Sequence, residues 1–261
     1  MIIKLHGTRG SIPQPKFTEK YGGNTSCYEV NYGDFQIIFD TGTGFQDVVL
    51  NPNKTTFILF THFHHDHIQG LPFNPSIFSH HNDIYLSSAL VNRQVLKNLI
   101  QIYFSGGYFP VDIVNILKQL KFINCTNAQR KLSPAIKLEM IELNHPGGSM
   151  GYSLKSSDSK LCYLLDNEYA DDQLDTLLSF VDGSDLVLWD GMFTEKELES
   201  KAGWGHSSIE AACQFAEKAN IKELIISHHS PSRTDSDLDK LAEELNSSKV
   251  SFAVQSSEME I

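Results

Sequence analysis

Short apolar segments alternate with helical patterns along the whole chain. Segments such as 57–60 (FILF) and 161–165 (LCYLL) are short apolar runs that lead into polar residues, which is typical of strands. In 207–219 the apolar residues recur at helical spacing, behind serines suited to a cap and with Glu210 in the first turn. The same criteria predict strands at 2–6, 27–31, 36–40, 57–60, 84–87, 122–125, 136–143, 150–155, 160–165, 185–189, 222–227 and 250–254, and helices at 89–103, 111–120, 171–180, 194–200, 207–219 and 236–247.

The order of these elements favours an α/β fold with four αββα layers. Early strands follow one another through tight turns, whereas the second half alternates strands with helices, and a sandwich fits this better than a plain doubly wound sheet. The chain has 261 residues and shows no linker, low-complexity tract or repeat. We therefore expect residues 1–261 to form a single domain.

The charge of the chain bears on its partners. Its formal net charge is −11, and no segment is rich in lysine or arginine. Proteins that grip long nucleic acids usually present a basic face that displaces counterions, so we expect no extended nucleic-acid partner. A small anion stays possible, because bound cations reverse the local field.

The sequence also predicts where the protein resides. No stretch approaches the roughly 20 apolar residues of a membrane helix, and the N-terminus lacks the features of a signal peptide, so we expect a cytoplasmic protein without membrane contact. The four cysteines are scattered, without metal-ribbon spacing. They are expected to be buried thiols and not a disulfide framework.

The strongest chemical signal is a run of histidines at the end of strand 57–60. His62 and His64 lie two residues apart, so strand periodicity sends both imidazoles to the same side and toward one ion. After the chain turns, Asp66 and His67 can reach a second ion nearby. Imidazole and carboxylate are the ligands that zinc takes in open catalytic sites. A merely polar, histidine-rich loop is the alternative, and the order HxHxDH at a strand end makes it much the weaker one.

Further candidate ligands stand alone at strand ends. His145, Asp166 and His228 each follow an apolar strand, and each taken alone is more often a turn or capping residue than a ligand. Together with the histidine run they complete a three-histidine site, a mixed site and a bridging carboxylate. His229 could replace His228 as the ligand. Among the other histidines, His6 is expected to be packed or hydrogen-bonded, and His80 and His81 to lie on the surface.

The order of these residues resembles the metallo-β-lactamase superfamily over nearly the whole chain. The resemblance implies that His62, His64 and His145 hold one metal, that Asp66, His67 and His228 hold the other, and that Asp166 bridges them. Asp40, at the end of strand 36–40, would orient a ligand, although a simple strand-ending turn aspartate fits the same position. Two divalent ions are implied, zinc in the first place, with manganese or iron also compatible.

Other segments are similar to the phosphodiesterase branch of that superfamily. Segments 5–13 (LHGTRGSIP) and 21–27 (YGGNTSC) resemble this branch, which includes ribonuclease Z, phosphoribosyl cyclic phosphodiesterases and cyclic-nucleotide phosphodiesterases. Segment 204–208 (WGHSS) looks like the histidine-serine motif whose histidine serves the leaving group in ribonuclease Z-type enzymes. By that resemblance His206 is the proton donor, and Asp190 stands where those enzymes have a glutamate. The alternative is that both residues are purely structural.

The resemblance implies a metal-dependent hydrolase in which His206, Asp190 and Asp66 take part in catalysis. The expected substrate is a small, cyclic phosphodiester, either a cyclic nucleotide or a cyclic-phosphate sugar. A ribonuclease Z-like tRNA 3′-processing endonuclease is the main alternative, and a non-hydrolytic metal-binding sensor or a thiolesterase or lactamase-type hydrolase are the others. Segment 72–122 carries aromatic residues and not a cluster of cations. We expect this segment to form the interface of a homodimer.

Overall fold

Two β-sheets organise the protein. The structure, a computed structural model, describes residues 1–16, 18–245 and 247–261. The first sheet contains β1 (Ile2–Gly7), β2 (Cys27–Tyr32), β3 (Phe35–Phe39), β4 (Thr55–Phe60), β5 (Ile84–Ser88), β6 (Leu120–Phe122) and β13 (Glu258–Glu260). The second contains β7 (Lys137–Leu143), β8 (Ser149–Lys155), β9 (Lys160–Leu164), β10 (Ser184–Asp190), β11 (Ile221–Ser227) and β12 (Val250–Phe252).

The helices connect these strands and cover the sheets. They are α1 (His65–Ile68), α2 (Pro75–Ser79), α3 (Arg93–Tyr103), α4 (Ile113–Ile116), α5 (Cys125–Leu132), α6 (Leu174–Val181), α7 (Glu195–Leu198), α8 (Ile209–Lys218) and α9 (Asp235–Glu244). Short 3₁₀ helices lie at Thr43–Asp47, Leu71–Phe73 and Asp171–Gln173. Ser208 caps α8 by accepting a hydrogen bond from the Ala211 amide, and Glu210 lies in the first turn, as the sequence predicts.

Both sheets follow the same topology. In the first, β1, β2 and β3 are antiparallel, and β4, β5 and β6 then add parallel to β3. In the second, β7, β8 and β9 are antiparallel, and β10, β11 and β12 add parallel to β9. The parallel strands of each sheet therefore end at a common edge, the place where α/β proteins bind their ligands.

The central strands are apolar on both faces, and this alternation produces the layers. Ile37 of β3 and Leu188 of β10 lie in the core between the two sheets. Ile38 points the other way, into the core beneath α3, and Trp189 stacks on Phe215 of α8 with 4.4 Å between ring centroids. Helices thus cover the outer face of each sheet, and the predicted αββα fold is confirmed.

Two predictions between residues 111 and 125 were wrong. The helix expected at 111–120 ends after the single turn of α4, because the chain then enters β6 and pairs Leu120 with Ile84. The strand expected at 122–125 ends at Phe122, and Cys125 begins α5, which buries Ala128 against the sheet. The strand β13 was not predicted at all. The helix predicted at 236–247 corresponds to α9, and its residue 246 lies outside the described residues.

His80 is buried and not on the surface, which corrects the sequence interpretation. It ends α2, whose Ile77 packs in the core of the first sheet, and burial lowers the pKa of its imidazole. Cys27 and Cys162 are buried as expected, whereas Cys125 and Cys213 are only partly covered. Every helix in the described part of the chain is too short or too polar to cross a lipid bilayer.

Candidate active site

Three candidate residues stand immediately beyond strand ends with left-handed backbones. Asp40 follows β3, Asp166 lies just beyond β9 and His228 follows β11, at φ values of 58°, 57° and 60°. Side chains other than glycine rarely adopt this conformation, and it concentrates at functional sites where the surrounding structure enforces it. The turns direct these side chains toward a common cleft between the sheet edges.

His62, His64 and His145 form the first cluster. One ligand atom from each lies within 4.8 Å of those of the other two, and Nδ1 of His64 is 3.1 Å from Nε2 of His145. His64 is exposed while the other two are buried, so the cluster opens to solvent on one side. Nitrogen ligands held about 2.0–2.1 Å from one tetrahedral ion would lie at such mutual distances.

Asp66, His67 and His228 form the second cluster. Nε2 of His67 and Nε2 of His228 lie 3.4 Å and 3.6 Å from Oδ2 of Asp66. Asp166 lies between the two clusters. Its oxygens are 3.1 Å from His67 Nε2 and 3.8 Å from both His62 Nε2 and His145 Nε2, and this position is suited to a carboxylate that bridges two ions.

Asp40 holds the outward nitrogens of two of these histidines. Its carboxylate accepts hydrogen bonds from His67 Nδ1 at 2.9 Å, the Thr61 hydroxyl at 2.9 Å and the Tyr163 hydroxyl at 3.1 Å. Because the only hydroxyl proton of Thr61 goes to Asp40, Thr61 must accept from Nδ1 of His62 at 3.0 Å. Asp40 therefore fixes the orientation of both rings, so that Nε2 of each faces the cleft.

The outward nitrogens of His145 and His228 are held in the same way. Nδ1 of His145 donates to the Gly205 carbonyl at 2.8 Å, and Nδ1 of His228 lies 3.1 Å from the Ser26 hydroxyl. Several inward atoms are buried without any hydrogen-bond partner among the described residues: His62 Nε2, His67 Nε2, His228 Nε2 and Asp166 Oδ2. Buried polar atoms are normally satisfied, so this donor set fits metal ions well.

The electrostatics of the clusters also favour cations. Burial alone would lower the pKa of His67, but the charges of Asp166, Asp66 and Asp40 raise it well above its ordinary value. A site that stabilises a proton on a buried imidazole also stabilises a metal cation in its place. Burial, followed by the charge on His67, lowers the pKa of His62 well below its ordinary value, which keeps this ring in the neutral form that binds metal.

His206 and Asp190 form a buried pair beside the clusters. His206 Nδ1 donates to Asp190 Oδ2 at 2.7 Å, and the same oxygen accepts the Asp166 amide at 3.1 Å. Burial lowers the pKa of His206, but the charge of Asp190 and its hydrogen bond outweigh burial and raise the pKa to about 9. The ring of His206 stacks on His228 with 5.0 Å between centroids. The protein thus places a protonated imidazole next to the candidate metal ligands.

His229, the alternative to His228, points away from the clusters. Its Nε2 lies 2.9 Å from the Ala253 carbonyl, and its ring packs edge-on against Tyr21 and Phe252. Burial lowers the pKa of His229 to about 3, so it is a neutral side chain of the core. His6, by contrast, is hydrogen-bonded to Glu29 at 2.8 Å, as the sequence interpretation expected.

The N-terminal loop supplies site contacts that the sequence interpretation missed. The Ser11 amide donates to Asp66 Oδ2 at 2.8 Å, from a backbone with a φ of 63°. Gly10 lies so close to His228 that a Cβ atom there would sit 2.4 Å from the imidazole. Both residues belong to segment 5–13, whose resemblance to the phosphodiesterase branch is the sequence signal that could have identified them.

Comparison with known sequences identifies relatives of this chain. The family model described as a beta-lactamase superfamily domain matches residues 36–229, well over half of the chain. Ribonuclease Z of Lachnospira eligens is 25% identical over 284 residues, and the alignment covers 88% of this chain and 88% of that protein.

Solved structures show the same fold at low sequence identity. YhfI from Bacillus subtilis, described as a metallo-beta-lactamase fold protein, has a TM-score of 0.73 and 17% identity, with 99% of both chains covered. A diphosphatase from the PhnP family also has a TM-score of 0.73 and 17% identity, over 100% of this chain and 96% of that one. Both matches extend over the two sheets and their helices.

Proposed function

Because this chain belongs to the metallo-β-lactamase superfamily of metal-dependent hydrolases, we propose that it hydrolyses a small, cyclic phosphodiester with the help of two divalent ions, zinc by preference. The observation that carries the proposal is the pair of His206 and Asp190 beside the histidine and aspartate clusters. An alkoxide leaving group needs a proton, and a protonated imidazole at this position supplies one. The names ribonuclease Z and diphosphatase, carried by two similar proteins, both describe hydrolysis at phosphorus.

Seven residues would hold the ions. The first set is His62, His64 and His145, the second is Asp66, His67 and His228, and Asp166 would serve both. When bound, two divalent ions would offset the negative charge of the phosphodiester and lower the pKa of the attacking water. The hydrogen bonds that join the outward imidazole nitrogens to Asp40, Thr61, Gly205 and Ser26 would keep the inward nitrogens aimed at the ions.

His206 would act at the leaving oxygen. Its Nδ1 hydrogen bond to Asp190 leaves Nε2 as the atom that can carry a proton toward the substrate. As the P–O bond breaks, the Nε2 proton moves to the departing oxygen and the imidazole becomes neutral. Asp190, buried and also held by the Asp166 and Met192 amides, would keep the ring oriented throughout and stabilise its charged form.

Substrate size follows from charge. The net charge of −11 repels a polyanion at long range, and this repulsion grows with the number of phosphates. Attraction to a pair of divalent cations acts at short range and saturates with one phosphodiester. Segment 72–122 contains only Arg93, Lys97, Lys118 and Lys121 as cations, which is little to hold a tRNA. We therefore favour a cyclic nucleotide or a cyclic-phosphate sugar.

A ribonuclease Z-like endonuclease is the second candidate. The name of the relative from Lachnospira eligens favours it, as does the histidine-serine pair His206-Ser207. The replacement of a glutamate by Asp190 and the acidic composition count against it. Precursor tRNA belongs in every substrate panel for this reason.

The proposal includes a homodimer formed through segment 72–122. Three aromatic side chains of this segment are strongly exposed, Phe73 at 63%, Phe78 at 54% and Tyr108 at 80%. Exposed aromatic side chains of this size are candidates for an interface between two copies of the chain. Light scattering at micromolar concentration would test this, and a monomer there would end the idea.

Turnover of a substrate panel by metal-loaded protein tests the proposed function. The panel contains 3′,5′-cyclic and 2′,3′-cyclic nucleotides, a ribose cyclic phosphate, precursor tRNA, a thioester and a β-lactam. We expect hydrolysis of at least one cyclic diester, with no turnover of the thioester or the lactam and with loss of activity after chelation. Preferential hydrolysis of the thioester or the lactam would overturn the proposal.

A further inference from the structure

Glu168 lies two residues beyond Asp166 and makes an unusual pair of contacts. Its carboxylate accepts the backbone amide of Gly203 through Oε1 and that of Gly205 through Oε2, both at 2.8 Å. Both glycines have positive φ, 84° and 86°, so their amides converge on a single anion. Hydrogen bonds to an ionised acceptor are roughly twice as strong as neutral ones.

The peptide of Gly205 connects this carboxylate to the candidate site. Its amide donates to Glu168, while its carbonyl accepts from His145 Nδ1 at 2.8 Å. A Cβ atom at position 205 would lie 2.2 Å from His145 Nδ1, so the turn and the histidine are in close contact. His206, the candidate proton donor, is the next residue. One turn therefore touches a candidate ligand and carries the candidate acid.

A second set of bonds ties the same two segments together below the turn. The Ser207 hydroxyl donates to the Asn167 carbonyl and accepts the Tyr169 amide at 3.1 Å. Trp204, between the two glycines, is 61% exposed, and its ring packs edge-on against Phe193 with 6.4 Å between centroids. No other side chain in the described part of the chain accepts a hydrogen bond from the amides of Gly203 or Gly205. The carboxylate of Glu168 thus holds the backbone of the turn Gly203–Gly205 in place.

We propose that Glu168 is a positioning residue that, through the turn Gly203–Gly205, sets His206 against the leaving oxygen and holds the outward nitrogen of His145. The role of His206 in this inference rests on the proposed function. The contact that holds His145 does not depend on it. Without the carboxylate, two amides lose their acceptor and the turn gains freedom. A misplacement of about 1 Å in a catalytic group can cost roughly 10²-fold in rate.

The dependence of rate on the leaving group separates positioning from general damage. Metal-loaded Glu168→Ala and Glu168→Gln are compared on bis(p-nitrophenyl) phosphate, whose nitrophenolate departs without a proton, and on 3′,5′-cyclic AMP, whose sugar alkoxide needs one. We expect Glu168→Ala to lower kcat on cyclic AMP by about 10²-fold and to change kcat on the nitrophenyl diester far less. Glu168→Gln should fall between, because the amide keeps one acceptor oxygen.

Glu199→Gln is the matched control, because Glu199 is exposed on the same loop and makes no side-chain hydrogen bond within the described residues. It should behave as wild type on both diesters. In a His206→Ala background, Glu168→Ala should add no further loss on cyclic AMP, since both changes would remove the same function. Equal losses on both diesters, or losses that multiply with His206→Ala, would overturn the proposal.

If wild-type protein hydrolyses neither diester, the proposed function fails. Two other measurements still test the role of Glu168 in that case. Hydrogen exchange at the amides of Gly203 and Gly205 should be faster in Glu168→Ala than in Glu199→Gln. Loss of zinc to a chelator should also be faster, because the hold on His145 is weakened. Unchanged amide exchange, or unchanged zinc loss, would show that Glu168 does not anchor the turn against the site.

Discussion

Nδ1 of His206 lies 2.7 Å from Oδ2 of Asp190, and the same carboxylate oxygen accepts the backbone amide of Asp166. One buried aspartate thus aligns the candidate proton donor and the candidate bridging carboxylate. The two ends of the proposed reaction, attack on phosphorus and departure of the leaving oxygen, are thereby held in a fixed relation.

Substitution of His206 by alanine separates acid catalysis from metal binding. We expect His206→Ala to retain two metals and to lower kcat for an alkoxide leaving group by about 10²–10⁴-fold, the usual share of general acid catalysis. Metal analysis alongside kinetics checks this. His206 also lies within ligand distance of His145 and Asp166, so loss of metal in the variant would show that it is a ligand and not the acid.

The pH dependence of kcat should report the loss of the proton that Asp190 stabilises on His206. Burial lowers the pKa of His206, but the charge of Asp190 and its hydrogen bond raise it above its ordinary value, so activity should fall on the alkaline side as the acid loses its proton. In Asp190→Asn the raising charge is removed, and the alkaline limb should move to lower pH. A limb at the same pH in this variant would contradict the assignment.

The same pair makes a contribution to stability with a defined sign. The pKa of His206 in the folded protein lies above the ordinary value of 6.5, so folding favours its protonated form. This contribution is fully present below about pH 6.5 and is lost as pH rises through about 9. Thermal unfolding of wild type and His206→Ala across this range should show a difference that shrinks at alkaline pH.

Substitution of Asp40 should weaken metal binding without removing a ligand. Asp40 fixes His67 directly and His62 through Thr61, and loss of such outward partners typically costs 10–100-fold in metal affinity. We expect a loss of this size in Asp40→Asn and a smaller one in Thr61→Val, which removes the partner of His62 and leaves the hydrogen bond between Asp40 and His67 in place. Competition with a metal chelator measures both, and a Thr61→Val effect equal to that of Asp40→Asn would show that His67 does not depend on Asp40.

Removal of a ligand should have a different signature. His62→Ala and Asp66→Ala each take one member from a different cluster, and both are expected to abolish hydrolysis mainly by loss of metal. Elemental analysis of the purified variants checks the cause. Full metal content in an inactive variant would show that the residue is not a metal ligand and that it takes part in the catalytic step.

Much of the site was predictable because its chemistry is local or marks strand ends. The candidate ligands from His62 to His67 can be recognised from their spacing alone. His145, Asp166 and His228 each follow an apolar strand. Parallel strands bring such ends together without any pattern linking them in sequence. The fold was predictable for a similar reason, since strands such as β3 and β4 are apolar on both faces and require a layer on each side.

The parts that could not be predicted depend on contacts between distant backbone atoms. Glu168 accepts hydrogen bonds from amides 35 and 37 residues later, and Ser11 binds Asp66 through its own amide. Every residue type except proline has a backbone amide, so the sequence pattern does not reveal these contacts. Helix α5 is short and mostly polar, and β6 displaced the end of a predicted helix because it pairs with β5. Tertiary pairing outweighed local propensity there.

The most direct test of the central claim is competition between substrates. Metal-loaded protein is given small cyclic diesters and precursor tRNA together, at low and at physiological salt, with His206→Ala as the control. The account predicts turnover of a cyclic diester in preference to tRNA, with a preference that narrows as salt screens the charge of −11. Efficient cleavage of precursor tRNA at physiological salt, with no turnover of any small cyclic diester, would contradict it.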